Sequence, residues 1–161
     1  EFDFMYDVLK AVDTFSSEVK IIIKVRSNGF MDQYVDFSRK YFSHLDVSVI
    51  SDVPIQRVLK KADLYISIYS QTLFEASCMG IPVIYYKKDT QVLHKPFDGN
   101  SELVTAYNIS TLIQALNDFQ ENNNRFKGFL DRDIMEKYVG PLDGKNLERN
   151  MDFINSLLKK R

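Results

Sequence analysis

Residues 63–86 read DLYISIYSQTLFEASCMGIPVIYY, and this stretch decides the fold. The apolar run Leu64-Tyr65-Ile66-Ser67-Ile68 predicts a strand, and the polar Tyr69-Ser70-Gln71-Thr72 a loop. A helical segment follows over 73–79 and stops at Gly80; Pro82 then opens a second apolar run, Val83-Ile84-Tyr85-Tyr86. Strand, loop, helix and strand in this order gather hydroxyls and a carboxylate where the helix begins. In an open parallel sheet that place is the carboxyl end of a strand, where ligands bind. Free N–H groups at a helix start favour an anion, so the stretch points to a nucleotide or phosphate ligand.

Outward from this unit the pattern alternates. Phe4, Val8, Leu9, Val12 and Phe15 fall at helical spacing. A β-branched run over 20–25 (KIIIKV) predicts a buried strand, closed by the turn residues Ser27-Asn28-Gly29. Helical period returns over 31–42, and 47–50 is a short strand. Pro54 suits the first position of a short helix ending near Ala62. Residues 87–101 form a long polar connection, 102–106 a brief strand, and Ser110 an N-cap for a helix over 111–119. Helical patterns over 125–138 and 144–160 complete the chain, split by Gly140-Pro141 and Gly144. The alternation predicts a single α/β domain, a Rossmann-like open parallel sheet flanked by helices. The right-handed crossover rule brings the loops 26–29, 51–54, 69–72 and 87–101 to one edge. The chain opens with a helix rather than with a strand and glycine-rich turn. It also starts Glu1-Phe2-Asp3, so the expectation is a piece of a larger protein.

Composition narrows the partners. With 161 residues, 45% of them hydrophobic, the chain is long enough to bury one core. Twenty-one basic residues against 22 acidic ones leave a net charge of -1, which gives no reason to expect a nucleic acid. The single cysteine, Cys78, cannot form an internal disulfide and fits a reducing, cytoplasmic setting; its mid-helix position predicts a small buried packing residue. No apolar run approaches the ~20 residues of a membrane span, and no signal peptide is visible. The terminal Lys159-Lys160-Arg161 reads as a solvated helix end that complements the dipole, with a peripheral contact at the inner face of the membrane as the weaker alternative.

Several residues carry possible chemistry. Ser70 and Thr72 offer hydroxyls to a phosphate. Glu75, one turn in, offers two acceptor oxygens to the cis-diol of a ribose. The plain structural alternative is a capping box, because Thr72-Leu73-Phe74-Glu75 has its spacing. Arg26, Ser27 and Asn28 follow a strand and suit a diphosphate; equally, Asn28-Gly29 suits an ordinary turn at positive φ. The loop at Val53 could present backbone amides to a nucleobase, with a helix cap by Asp52 as the alternative. His44 reads as a surface residue, and His94, near Lys95 and Asp98, as one that could approach a ligand without a catalytic role. One cysteine and two distant histidines give no metal set, and neither a Walker loop nor GxGxxG is present. Tyr69, Tyr85 and Tyr86 read as core or rim aromatics.

Ala62-Asp63-Leu64-Tyr65-Ile66-Ser67, then Ser70-Gln71-Thr72-Leu73-Phe74-Glu75-Ala76, then Gly80-Ile81-Pro82-Val83-Ile84 resembles the C-terminal donor-binding domain of GT-B glycosyltransferases, similar to bacterial enzymes of surface-polysaccharide and teichoic-acid synthesis. Tyr138-Val139-Gly140 and Asp143-Gly144-Lys145 before a last helix fit the same pattern. The resemblance covers most of the chain from Lys20 onward and is not specific for a sugar. It implies a nucleotide-sugar donor as substrate, with no metal or other cofactor. Ser70, Gln71 and Thr72 would lie near phosphate, Glu75 on ribose, Arg26, Ser27 and Asn28 facing the diphosphate, and Val53 near the base. It further implies that an N-terminal acceptor-binding domain and the first strand of this domain are absent from the sequence, so that the piece alone turns over little. The second glutamate used by many retaining members has no counterpart, since Ile68 stands seven residues before Glu75. Two other readings compete: half of an enzyme of the UDP-N-acetylglucosamine 2-epimerase type, for which the loops supply few acidic and histidine groups, and a non-catalytic α/β interaction module.

Overall fold

A computed structural model of the chain describes residues 2–15, 18–27 and 29–158. Its elements are α1 (Phe2–Val12), β1 (Lys20–Lys24), α2 (Met31–Tyr41), β2 (Asp46–Ile50), α3 (Ile55–Leu59), β3 (Tyr65–Ser67), α4 (Thr72–Cys78), β4 (Val83–Tyr86), β5 (Thr105–Ala106), α5 (Ile109–Gln120), α6 (Lys127–Leu130), α7 (Arg132–Val139) and α8 (Asn146–Leu158), with a 3-10 turn before α6. The strands are parallel throughout but fall into two sheets. One is β1-β2, in register Lys20↔Asp46 to Lys24↔Ile50; the other is β3-β4-β5, with Tyr65↔Val83 and Tyr86↔Ala106 marking its limits. The chain is therefore mixed α/β, with small parallel sheets flanked by helices.

β4 shows why the second sheet is the core. It is the middle strand, and all four of its residues are buried. Its side chains alternate between faces. Val83 and Tyr85 pack with Leu73, Phe74, Phe129 and Met135 from α4, α6 and α7. Ile84 and Tyr86 pack with Ala11, Val12, Leu112, Ala115 and Leu116 from α1 and α5. Helices on both faces explain the continuous apolar run, because a parallel strand covered on both sides has no polar face. The β1-β2 pair is different. Ile21, Ile23 and Val47 pack with Met5, Leu9 and Phe42 beneath α1 and α2, yet β1 and β2 bury no residue fully. The expected buried strand over 20–25 is thus half-buried; of the run, only Val25, just past β1, is buried. Ile21 also packs against the cluster that holds Leu64 and Ile66, so β1 is the strand turned toward β3.

Local chemistry sets the ends. α4 closes in a Schellman motif: Gly80 N donates to Ser77 O at 2.9 Å, Ile81 N to Ala76 O at 3.0 Å, and Gly80 takes φ 80°. The cap of α5 is Asn108 rather than the expected Ser110. Asn108 Oδ1 accepts from Thr111 N at 3.0 Å, and Thr111 Oγ1 accepts in return from Asn108 N at 3.1 Å. The expected helix over 125–138 breaks at Asp131, whose Oδ1 accepts from Ile134 N and starts α7 afresh. α8 buries no residue; Leu147 and Phe153 stand 73% and 63% exposed. Lys159, Lys160 and Arg161 lie outside the described residues. Among those described, no helix is long and apolar enough to cross a membrane.

Candidate functional site

The carboxyl ends of the strands carry the candidate residues. β3 ends at Ser67, and residues 68–71 lead into α4. Gln71 takes the N-cap position in a helical conformation and makes no side-chain cap bond. Thr72 is therefore already inside the helix, and the capping box read from Thr72 and Glu75 does not form. The half-buried Ser70 serves instead: its Oγ accepts from Thr72 N at 3.2 Å. That bond uses acceptor capacity only and leaves the Ser70 O–H able to donate.

The helix start is not an open nest of amides. Leu73 N donates to Ser70 O at 3.3 Å, Phe74 N to Gln71 O at 3.0 Å, and Glu75 N to Gln71 O at 3.4 Å. The tight first turn consumes the donors expected to face an anion, which corrects the sequence reading on that point. What this edge offers an anion is hydroxyl groups, from Ser70 and from the half-buried Thr72.

Glu75 is exposed, and its Oε2 accepts from Gln56 Nε2 at 2.9 Å. Gln56 stands in the first turn of α3, just past the loop 51–54 that follows β2. One hydrogen bond thus links the carboxyl edge of the β1-β2 sheet to that of the β3-β4-β5 sheet. Gln56 carried no signal in the sequence, because nothing local marks a glutamine whose partner lies across a sheet junction.

The other predicted residues lie on the same edge of the smaller sheet. Arg26 and Ser27 follow β1 and are exposed, and Arg26 O accepts from Gly29 N at 2.8 Å. Asn28 lies outside the described residues. Gly29 does not adopt positive φ; its lack of a side chain is needed because a Cβ there would collide with Val25 Cγ1. Val53 is 37% exposed, with its N–H given to Ser51 O. Asp52 caps nothing: its Oδ2 accepts from Ser51 Oγ at 3.2 Å, and Pro54 holds the N-cap position of α3.

An aromatic group borders Ser70. Tyr69 stands edge-on to Phe97 at 4.7 Å and to His94 at 5.8 Å between ring centroids. His94, expected to approach a ligand, is exposed beside the Ser70 loop. Phe97 is 2% exposed, and its ring also meets Tyr85 edge-on at 5.2 Å. Lys87 ties this connection down, its Nζ donating to Val92 O at 2.6 Å and Phe97 O at 2.7 Å. Tyr85 and Tyr86 are core residues, as expected. Burial, then the hydrogen bond to Asp7, hold the Tyr86 phenol well above its ordinary pKa. Cys78, expected to be buried, is exposed at the end of α4; the buried polar residue is its neighbour Ser77, whose Oγ donates to Phe129 O. Among the described residues, no group of three or more His, Cys, Asp or Glu side chains could hold a metal ion. No family model matches the chain, and no curated protein or solved structure matches it either.

Proposed function

We propose that this chain is the donor-binding part of a glycosyltransferase with a Rossmann-like, GT-B type half-fold, and that it binds the nucleoside diphosphate of a nucleotide-sugar donor along the carboxyl edge of its sheets. The observation that carries the reading is Glu75. Its carboxylate is not used as a cap, stands exposed where β3 feeds α4, and is oriented by Gln56 from the neighbouring half. A carboxylate fixed in this way has acceptor capacity left for the two hydroxyls of a ribose. Ser70, with Thr72, supplies hydroxyl donors to the phosphates, and Arg26 at the end of β1 supplies positive charge. The loop at Val53 faces the base. The leaving nucleoside diphosphate is then stabilised by hydroxyls and a guanidinium, in place of a bound metal. The acceptor, a cell-surface polysaccharide or a related molecule, is met by a separate acceptor-binding domain.

Calorimetric titration of nucleoside diphosphates into the wild type and Glu75→Ala tests the reading. A hydrogen bond to a charged group is worth ~1.5–3 kcal/mol, so the variant is expected to bind roughly 10- to 100-fold more weakly. Equal affinity in a folded variant would remove Glu75 from the ribose site.

A further inference from the structure

Tyr85 lies in the middle strand of the larger sheet, paired with Ser67 on one side and Thr105 on the other. The residue is 0% exposed, and its hydroxyl is the one buried side-chain polar atom among the described residues that has no hydrogen-bond partner. Its neighbour in the strand shows the contrast: Tyr86 Oη donates to Asp7 Oδ2 at 2.8 Å. A buried hydroxyl without a partner costs about 1–3 kcal/mol, and native cores keep few of them. Phenylalanine would fill the same space in a purely structural role.

The surroundings of this hydroxyl are those of the candidate site. Phe97 packs edge-on against Tyr85, and the same ring carries His94 and Tyr69, the residue before Ser70. Burial first, and then the charge of Asp89, hold the Tyr85 phenol above its ordinary pKa. The connection over 87–104 packs on Tyr85 through Phe97, on the face that Phe74, Phe129 and Met135 also cover. Its outer part is exposed, with Leu93 at 74%, while Pro96 and Phe97 are buried. Besides the core packing of Phe97, Leu103 and Val104, polar ties hold it: Lys87 to Val92 O and Phe97 O, Ser101 Oγ to Pro96 O at 2.5 Å, and Tyr107 Oη to Gly99 O at 3.2 Å. No strand pairing runs through residues 88–101, so this part of the connection can lift without unfolding the sheet, giving up the packing of Phe97.

We propose that Tyr85 is a ligand-recognition residue: when the Phe97 strap lifts, its hydroxyl donates to an oxygen of the sugar or polyol attached to the nucleoside diphosphate. This rests on the reading of the site given above and extends it to the part of the donor beyond the phosphates. Tyr69 and His94 then present ring edges and faces to the apolar side of that group. A phenol suits the role because an analogue lacking the matching oxygen would leave the buried hydroxyl unpaired.

The test compares wild type with Tyr85→Phe in thermal melts and in titrations with UDP, CDP, GDP and ADP, and with UDP-glucose, CDP-glycerol, GDP-mannose and ADP-glucose. The expected result is an unchanged or higher Tm, unchanged affinity for the bare nucleoside diphosphate, and about tenfold weaker binding of its conjugate. Conjugate affinity that does not change overturns the role of Tyr85 while leaving the nucleoside diphosphate site standing. Equal weakening of both ligands, or a lowered Tm, assigns the hydroxyl a structural role and also overturns it. Failure of the folded wild type to bind any of the eight overturns the site and the role of Tyr85 together.

Discussion

The two sheets of this molecule are built on the same plan and reach different degrees of completion. In β3-β4-β5, α1 and α5 cover one face and α4, α6 and α7 the other, and the central strand is buried from end to end. In β1-β2, α1 and α2 cover one face and every strand residue keeps some exposure. A parallel sheet gains most of its stability from burial of both faces, so the larger half is the scaffold and the smaller half is carried by it. The candidate site lies where the two meet, with Glu75 on the scaffold and Gln56 on the carried half.

The sharpest way to break this comparison is to cut the same side chain in both halves. Ile84→Ala, at 0% exposure, should cost about 4 kcal/mol, and Ile23→Ala in the half-buried β1 only about 1–2 kcal/mol, read as urea midpoints. Equal losses would mean that the halves are equally cored. Ser77→Ala comes next. It leaves the Phe129 carbonyl unpaired where α4 meets α6, and should cost about 1–2 kcal/mol.

A pH experiment sharpens the picture of the larger half. Tyr138 Oη donates to Glu102 Oε2 at 2.6 Å. This bond, above all, holds the Glu102 carboxyl below its ordinary pKa, while burial and the same bond push the Tyr138 phenol up to about 12. A depressed carboxyl stabilises the fold above its unfolded-state pKa of ~4.3 and loses that contribution as the pH falls through the folded value. Tyr138→Phe should therefore be about 1 kcal/mol less stable than wild type at pH 7, with the gap closing as the pH falls below the unfolded-state value. A constant gap would show that Glu102 is not the partner that matters. The smallest effect belongs to the smaller half: His44 Nε2 meets Asp13 Oδ1 at 2.6 Å on an exposed surface, and His44→Ala should shift stability by no more than ~0.5 kcal/mol.

What was legible in the sequence follows the same division. The run from Tyr65 to Tyr86 has continuous apolar strands, a glycine at the helix end and a proline before the next strand, so its elements can be read within a residue or two. The α5 cap was misplaced because Ser110 and Asn108 are both capable caps, and the return bond from Thr111 decides between them. The break at Asp131 hides inside an unbroken helical period, since an aspartate is tolerated in either state until its side chain caps the next turn. At the site, residue types were legible and partners were not. Glu75 carries a local signal for a cap that the helix start at Thr72 rules out, and its actual partner lies on another helix. The unpaired hydroxyl of Tyr85 could not be read at all, because sequence marks a tyrosine as apolar bulk and only packing shows where its oxygen ends.

Titration calorimetry of the folded chain with UDP, CDP, GDP and ADP, repeated on Glu75→Ala and Gln56→Ala, tests the central claim most directly. The account predicts saturable binding of at least one nucleoside diphosphate, a loss of roughly 10- to 100-fold on removing Glu75, and a smaller loss on removing the glutamine that orients it. Silence across all four ligands from a folded sample, or full affinity in the absence of the Glu75 carboxylate, would contradict it.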